Sequence, residues 1–166
     1  SYKDGEVQII PVDPFDPRTG LLFPFLLQRI LKFSQTHYGE INPLAQARDF
    51  AMRACAGDPG LLLVGFIAPE GKLIGHAVGI MQESYGKRWF FVAQSALDES
   101  AGDVMSRTIE MGKKFAQARG AELLIFETKR SDAGWTRAYG AKTLRHLMYF
   151  PLNGEPIVNA EQGSVS

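Results

Sequence analysis

Residues 95–126 run SALDESAGDVMSRTIEMGKKFAQARGAELLIF: the end of one apolar run, a short loop, an amphipathic stretch and a second apolar run. A loop that passes a strand to a helix N-terminus suits a phosphate group, because backbone N–H groups and the helix dipole both favour negative charge there. This loop holds Gly102 but also three carboxylates, Asp98, Glu99 and Asp103. The plain alternative for Asp98 or Asp103 is a helix N-cap. Lys129 and Arg130 follow the second apolar run as the nearest basic pair to an anion held in the loop, or as a solvated strand end. The histidines, His37, His76 and His146, have no metal-ligand spacing. Cys55 has no nucleophile motif around it and reads as a small buried hydrophobe on a helix.

The elements that would position these residues follow from composition and periodicity. The chain has 166 residues, 45% of them hydrophobic and 22% charged, which suits one soluble globular domain with a sizeable core. Eighteen basic and eighteen acidic residues cancel, so bulk charge favours neither nucleic acid nor an anionic membrane. No apolar run approaches the length of a membrane span, and the polar start has no signal-peptide core. With a single cysteine, a cytoplasmic setting is expected.

Residues 7–12 (VQIIPV) form a first short strand that Pro11 confines to an edge. Leu22, Phe25, Leu26, Ile30 and Phe33 recur at helical spacing over residues 21–37, and Asn42-Pro43 caps a second helix to about residue 56. Three strands follow at residues 61–68, 73–81 and 88–96, the first two joined by the turn at Gly71. A helix over 104–119 presents Val104, Thr108, Met111, Gly112, Phe115 and Ala118 along one face, with Gly120 as its C-cap. Residues 123–128 make an interior strand, 133–139 a short helix ending at Gly140, and 142–151 a last strand. Trp89 and Trp135 are expected in the core or a cleft wall. The class is therefore α/β, a mixed central sheet flanked by helices in the order β-α-α-β-β-β-α-β-α-β. A single domain spans residues 1–152, with a small polar tail from 153 to 166.

This order, with LLLVGFIAPEGKLIGHAVGI, MGKKFAQARGAELLIFETKR and DAGWTRAYGAKTLRHLMYFPL, resembles the GNAT superfamily of acyl-CoA N-acyltransferases. The likeness is strongest over residues 61–152. It implies two parallel strands, from Arg88 and from Leu123, that splay near Gln94 to Leu97. It also implies acetyl-CoA as cofactor, held by Ala96, Leu97, Ser100, Ala101, Gly102, Asp103, Val104 and Met105. The family pattern of Gln or Arg, two residues, Gly, one residue, then Gly or Ala falls on Ser100, Asp103 and Met105, which all depart from it. A shift of one residue would put Gly102 at the first glycine.

For catalysis, the resemblance implies Glu127 as base, partly buried at the strand end and so tuned to proton transfer near neutral pH. The family's acidic tyrosine falls on Thr136, leaving the neighbouring Tyr139 as an acid or a core residue. His76, after Gly75, is either a cleft residue or a satisfied structural histidine. The implied function is acyl transfer from acyl-CoA to an amine of a small molecule or protein, with a homo-oligomer left open. The alternative is a non-catalytic GNAT-fold interaction or structural module. Phage-encoded GNAT-like proteins with a pair like Trp135/Arg137 are one such setting.

Overall fold

The computed structural model describes residues 1–128 and 131–153. Its centre is a five-stranded sheet in the order β1 (Gln8–Pro11), β2 (Leu61–Ile67), β3 (Leu73–Ser84), β4 (Lys87–Leu97), β5 (Leu123–Phe126). The first four strands are antiparallel neighbours, and β5 joins β4 in parallel. That one parallel pair follows from the intervening helix α3 (Val104–Ala118), since a parallel return needs a crossover. Before β2 come a 3-10 turn at Gly20–Leu22 and the helices α1 (Phe23–His37) and α2 (Pro43–Cys55). After β5 comes α4 (Asp132–Tyr139). Among the described residues, no helix is long and apolar enough to cross a membrane.

The sequence punctuation has its expected geometry. Asn42 accepts the Ala45 N–H at 3.0 Å and Pro43 opens α2. Gly120 and Gly140, at φ +74° and +71°, end α3 and α4 in the left-handed region that favours glycine.

Two apolar layers sandwich the sheet. On one face α1 and α2 bury Leu26, Ile30, Ala47 and Phe50 against Leu63, Val78 and Ile80. On the other, Val104 of α3 joins Val7, Val64, Phe66, Ile74 and Ala77. Phe66 and Phe90 are fully enclosed, and each such side chain contributes about 1.5–3 kcal/mol through burial.

Four expectations change. Residues 142–151 are not a strand: they run as irregular chain with no sheet partner among the described residues, and are exposed. β5 is consequently an edge strand, not an interior one. Cys55 is exposed at the last residue of α2, although its neighbour Ala54 is buried. Phe25 is exposed too, because the core-facing stripe of α1 runs through Leu26 and Ile30. The expected tail lies almost wholly outside the described residues.

Candidate functional site

The site begins where two strands part. β4 and β5 pair only from Trp89 to Val92, against Leu123 to Phe126. β5 then stops, while β4 continues beside β3 as far as Leu97. Among the described residues, 93–97 therefore have a ladder partner on the β3 side alone. The parting coincides with a bulge: Val78 faces Gln94 and Gly79 faces Val92, so Ala93 is the extra residue. A bulge bends its strand and increases local twist, which turns β4 away from β5. Gly79 is required there, because the Phe90 ring fills the space its Cβ would take.

Behind the bulge lies a buried polar chain. Gln94, 1% exposed, faces α1 and α2 between apolar side chains, and its amide group is fully engaged. Its Nε2 lies 2.7 Å from Ser34 Oγ, 2.8 Å from Gln46 Oε1 and 3.3 Å from the Ile30 carbonyl. Its Oε1 is 2.8 Å from Nε2 of His76, which is also 1% exposed. An acceptor there puts the imidazole proton on Nε2 and leaves Nδ1 to accept from Arg29 Nε at 3.4 Å. Burial pushes the His76 pKa down to about 4, so the ring is neutral near pH 7. Arg29 continues the chain by gripping Asp98 with both terminal nitrogens, at 3.0 and 2.8 Å. That guanidinium holds the Asp98 carboxyl below the usual carboxylate range. His76 is thus enclosed among protein partners.

The mouth of the split gathers other groups. Tyr38, just past α1, brings its hydroxyl to 3.5 Å from the carbonyl of Ala93. Burial, then the charges of Glu40 and Glu127, raise the Tyr38 pKa. Glu127 follows β5 directly and is exposed, not partly buried as expected, with no further strand over that edge among the described residues. Trp135 of α4 donates to Thr128 Oγ1 at 3.0 Å and packs on Phe126, with ring centroids 4.8 Å apart. Tyr139 stacks on Trp135 at 5.4 Å but is 37% exposed, so it is no core residue. Thr136 donates to the Ala141 carbonyl at 2.7 Å. Lys129 and Arg130 lie outside the described residues.

The loop before α3 is built differently from a glycine-lined phosphate cradle. Asp103 stands at the N-cap position but makes no side-chain capping bond. Its carboxylate accepts the Gly5 N–H at 3.0 Å and lies 3.0 Å from Arg107 Nε, which holds its pKa below the ordinary carboxylate value. Gly102, at φ +58°, lies where any Cβ would meet the backbone of Lys3 and Asp4 at 2.7 Å. Tyr2 pairs with this loop as well, donating its N–H to the Ser100 carbonyl at 2.9 Å. Asp98 is bound to Arg29 and caps nothing. Ala101 and Val104 are buried beneath, while Ser100 and Gly102 face solvent and Ala96, Leu97, Asp103 and Met105 are partly covered.

The parting of β4 and β5 thus falls where the sequence placed it, but other groups near it went unread. These were Tyr38, Arg29 and the Gln94 chain, for which the only signal was polar residues (Ser34, Gln46, Gln94) in otherwise apolar stripes.

No protein-family model and no curated protein sequence matches the chain. Solved structures do. A putative acetyl transferase from Pyrococcus furiosus superposes with a TM-score of 0.65 at 11% identity, over 89% of this chain and 100% of that one. A predicted acetyltransferase from Clostridium acetobutylicum, determined with acetyl-CoA, gives 0.60 at 13% identity, over 88% and 96%. An aminoglycoside acetyltransferase from an uncultured soil metagenomic sample, in complex with sisomicin, gives 0.58 at 14% identity, over 90% and 99%. The chain has the fold of the GNAT-type acetyltransferases, as the resemblance implied.

Proposed function

We propose that the protein is an acyl-CoA-dependent N-acyltransferase whose thioester arm enters the split between β4 and β5. One observation carries this reading: among the described residues, no strand lies beside the outer backbone edge of β4 past Val92. An extended, amide-bearing arm fits such an edge, because it can take up ladder hydrogen bonds that the missing strand leaves unmade. Acetyl-CoA would supply an activated acyl group on sulfur.

The loop fits the cofactor's phosphates less closely. Gly102 serves the close approach of residues 3 and 4, and no second glycine follows it. The carboxylates of Asp98 and Asp103 are nonetheless paired with Arg29 and Arg107, which reduces the repulsion a phosphate would meet. Backbone groups of residues 100–105 at the α3 N-terminus would hold that end.

The chain's own residues then have separable roles. Ala96 and Leu97 line the arm. Glu127, exposed at the mouth, takes the proton from the incoming ammonium through water. Tyr38 stays protonated, since its pKa is raised, and its hydroxyl beside Ala93 protonates the departing sulfur. Arg29, His76 and Gln94 hold the bulge in place. Tyr139 stays on the α4 side as part of the wall built on Trp135. The acceptor is an amine of a small molecule or protein.

A second reading, a GNAT-fold interaction module, is favoured by the packing of the N-terminal segment on the loop. Acyl transfer to a panel of amines, assayed with the wild type and Glu127→Gln, separates the two. The enzyme reading requires turnover that the substitution reduces; transfer by neither protein supports the module.

A further inference from the structure

The loop before α3 is covered by a segment of its own chain, residues 2–6, which lies just ahead of β1. Tyr2 bridges Ala101 and donates its N–H to the Ser100 carbonyl at 2.9 Å. Its hydroxyl donates to a carboxylate oxygen of Glu70, in the turn between β2 and β3. Gly5 gives its N–H to Asp103 Oδ1 at 3.0 Å, and Arg107 Nη2 donates to the Val7 carbonyl at 2.8 Å.

This segment takes up the loop's one glycine. A Cβ on Gly102 would lie 2.7 Å from the Lys3 carbonyl carbon and the Asp4 nitrogen, and 2.8 Å from Asp4 Oδ1. The close approach that glycine allows at a helix N-terminus therefore goes to a carboxylate-bearing residue of the same chain. Asp98 and Asp103 each face an arginine, whereas Asp4 has no ion pair among the described residues. The attachment is also shallow. Residues 3–6 are exposed, while Val7 is fully buried with Val104 and fixes the segment at one end. Hydrogen bonds at exposed positions have modest net worth and can be exchanged for other contacts without disturbing the core.

We propose that residues 2–6 form a strap that competes with the cofactor's phosphates for this loop, Asp4 lying in the anion's place while the strap is closed. The proposal rests on the acyl-CoA reading above and adds regulation to it. A phosphate arriving at the α3 N-terminus meets the Asp4 carboxylate, and the two like charges repel at close range. Binding therefore requires the strap to lift about Val7. Apparent affinity is reduced by the fraction of molecules whose strap is open, so a change that opens the strap restores it. By linkage, the cofactor frees the strap to the same degree that the strap weakens the cofactor.

The test titrates the wild type, Asp4→Asn and Gly5→Pro with acetyl-CoA by calorimetry, and follows amide hydrogen exchange over residues 2–6. Asp4→Asn removes only the charge. Gly5→Pro removes the N–H given to Asp103 and cannot adopt the φ of +79° found there, so it opens the strap. Both variants should bind acetyl-CoA more tightly than the wild type, Gly5→Pro about tenfold. Saturating acetyl-CoA should also speed exchange at Tyr2 and Gly5 of the wild type. Affinities equal to or below that of the wild type overturn the strap and leave the acyl-CoA reading standing. Unchanged exchange under saturating acetyl-CoA overturns it as well, because strap and cofactor then occupy the loop together. If none of the three proteins binds acetyl-CoA, the acyl-CoA reading fails and the strap falls with it. Where Gly5→Pro does not fold, Asp4→Asn, at an exposed position, and the exchange measurement decide.

Discussion

His76 Nε2 donates to Gln94 Oε1 across 2.8 Å, at a place where each residue is only 1% exposed. The bond links β3 to β4 one residue past the bulge, and the rest of the Gln94 amide reaches α1 and α2. A group of this kind costs little while every partner is present and much when one is removed.

Gln94→Leu tests that account of the bulge. The change keeps the approximate volume but leaves the His76 N–H, Ser34 and Gln46 without their shared partner. Stability should fall by about 3 kcal/mol, measured by urea denaturation. A loss below about 0.5 kcal/mol would mean that the chain does not hold the bulge.

Acid should weaken the fold through His76 before it affects the paired aspartates. The folded pKa of about 4 lies below the ordinary unfolded value of about 6.5, so the unfolded chain binds the proton more readily. Stability from this group is complete above about pH 6.5 and is lost as pH falls towards 4, a change of roughly 3 kcal/mol. Asp98, held low by Arg29, loses its contribution in a more acidic range. Denaturation curves across this window should show a steep decline for the wild type and a flatter one for His76→Asn. Equal slopes would remove His76 from the effect.

Asp103 fastens the N-terminal segment rather than capping α3. Asp103→Ala removes the acceptor of the Gly5 N–H and the partner of Arg107. Limited proteolysis should then cleave within residues 1–6 several-fold faster, with the core digested at its former rate. Cleavage at an unchanged rate would show that the contact does not hold the segment.

Much of this fold was legible because its signals are local. Asn42-Pro43 predicts the start of α2, Gly120 and Gly140 predict two helix ends, and the apolar runs of β2 to β4 predict their strands. The parting of β4 and β5 was legible through resemblance only, since its physical cause, the extra residue Ala93, leaves no mark in a run such as RWFFVAQSA. Long-range pairings stayed hidden for the same reason. Nothing local in Arg29 points to Asp98, or in Asp103 to Gly5. Residues 142–151 have the composition of a strand, but composition does not supply a neighbour, and α4 directs them into solvent. Glu127 was expected to be partly buried because it follows the apolar run Leu123 to Phe126, yet the residue after an apolar strand can leave the sheet, and here it is exposed.

Glu127→Gln bears on the proposed chemistry. The substitution keeps the side chain's size and removes its capacity to take a proton. Turnover should drop roughly a hundredfold with acyl-CoA affinity nearly unchanged. Tyr38→Phe should lower turnover by a similar order and abolish the alkaline decline set by its raised pKa. Full activity in either variant would remove that residue from the mechanism.

The most direct measurement is calorimetric titration of the wild-type protein with acetyl-CoA and with CoA. The account predicts saturable binding of one cofactor per chain, because the open edge of β4 past Val92 takes up the arm. Absence of binding by both compounds at millimolar concentration, in protein that is folded, would contradict it.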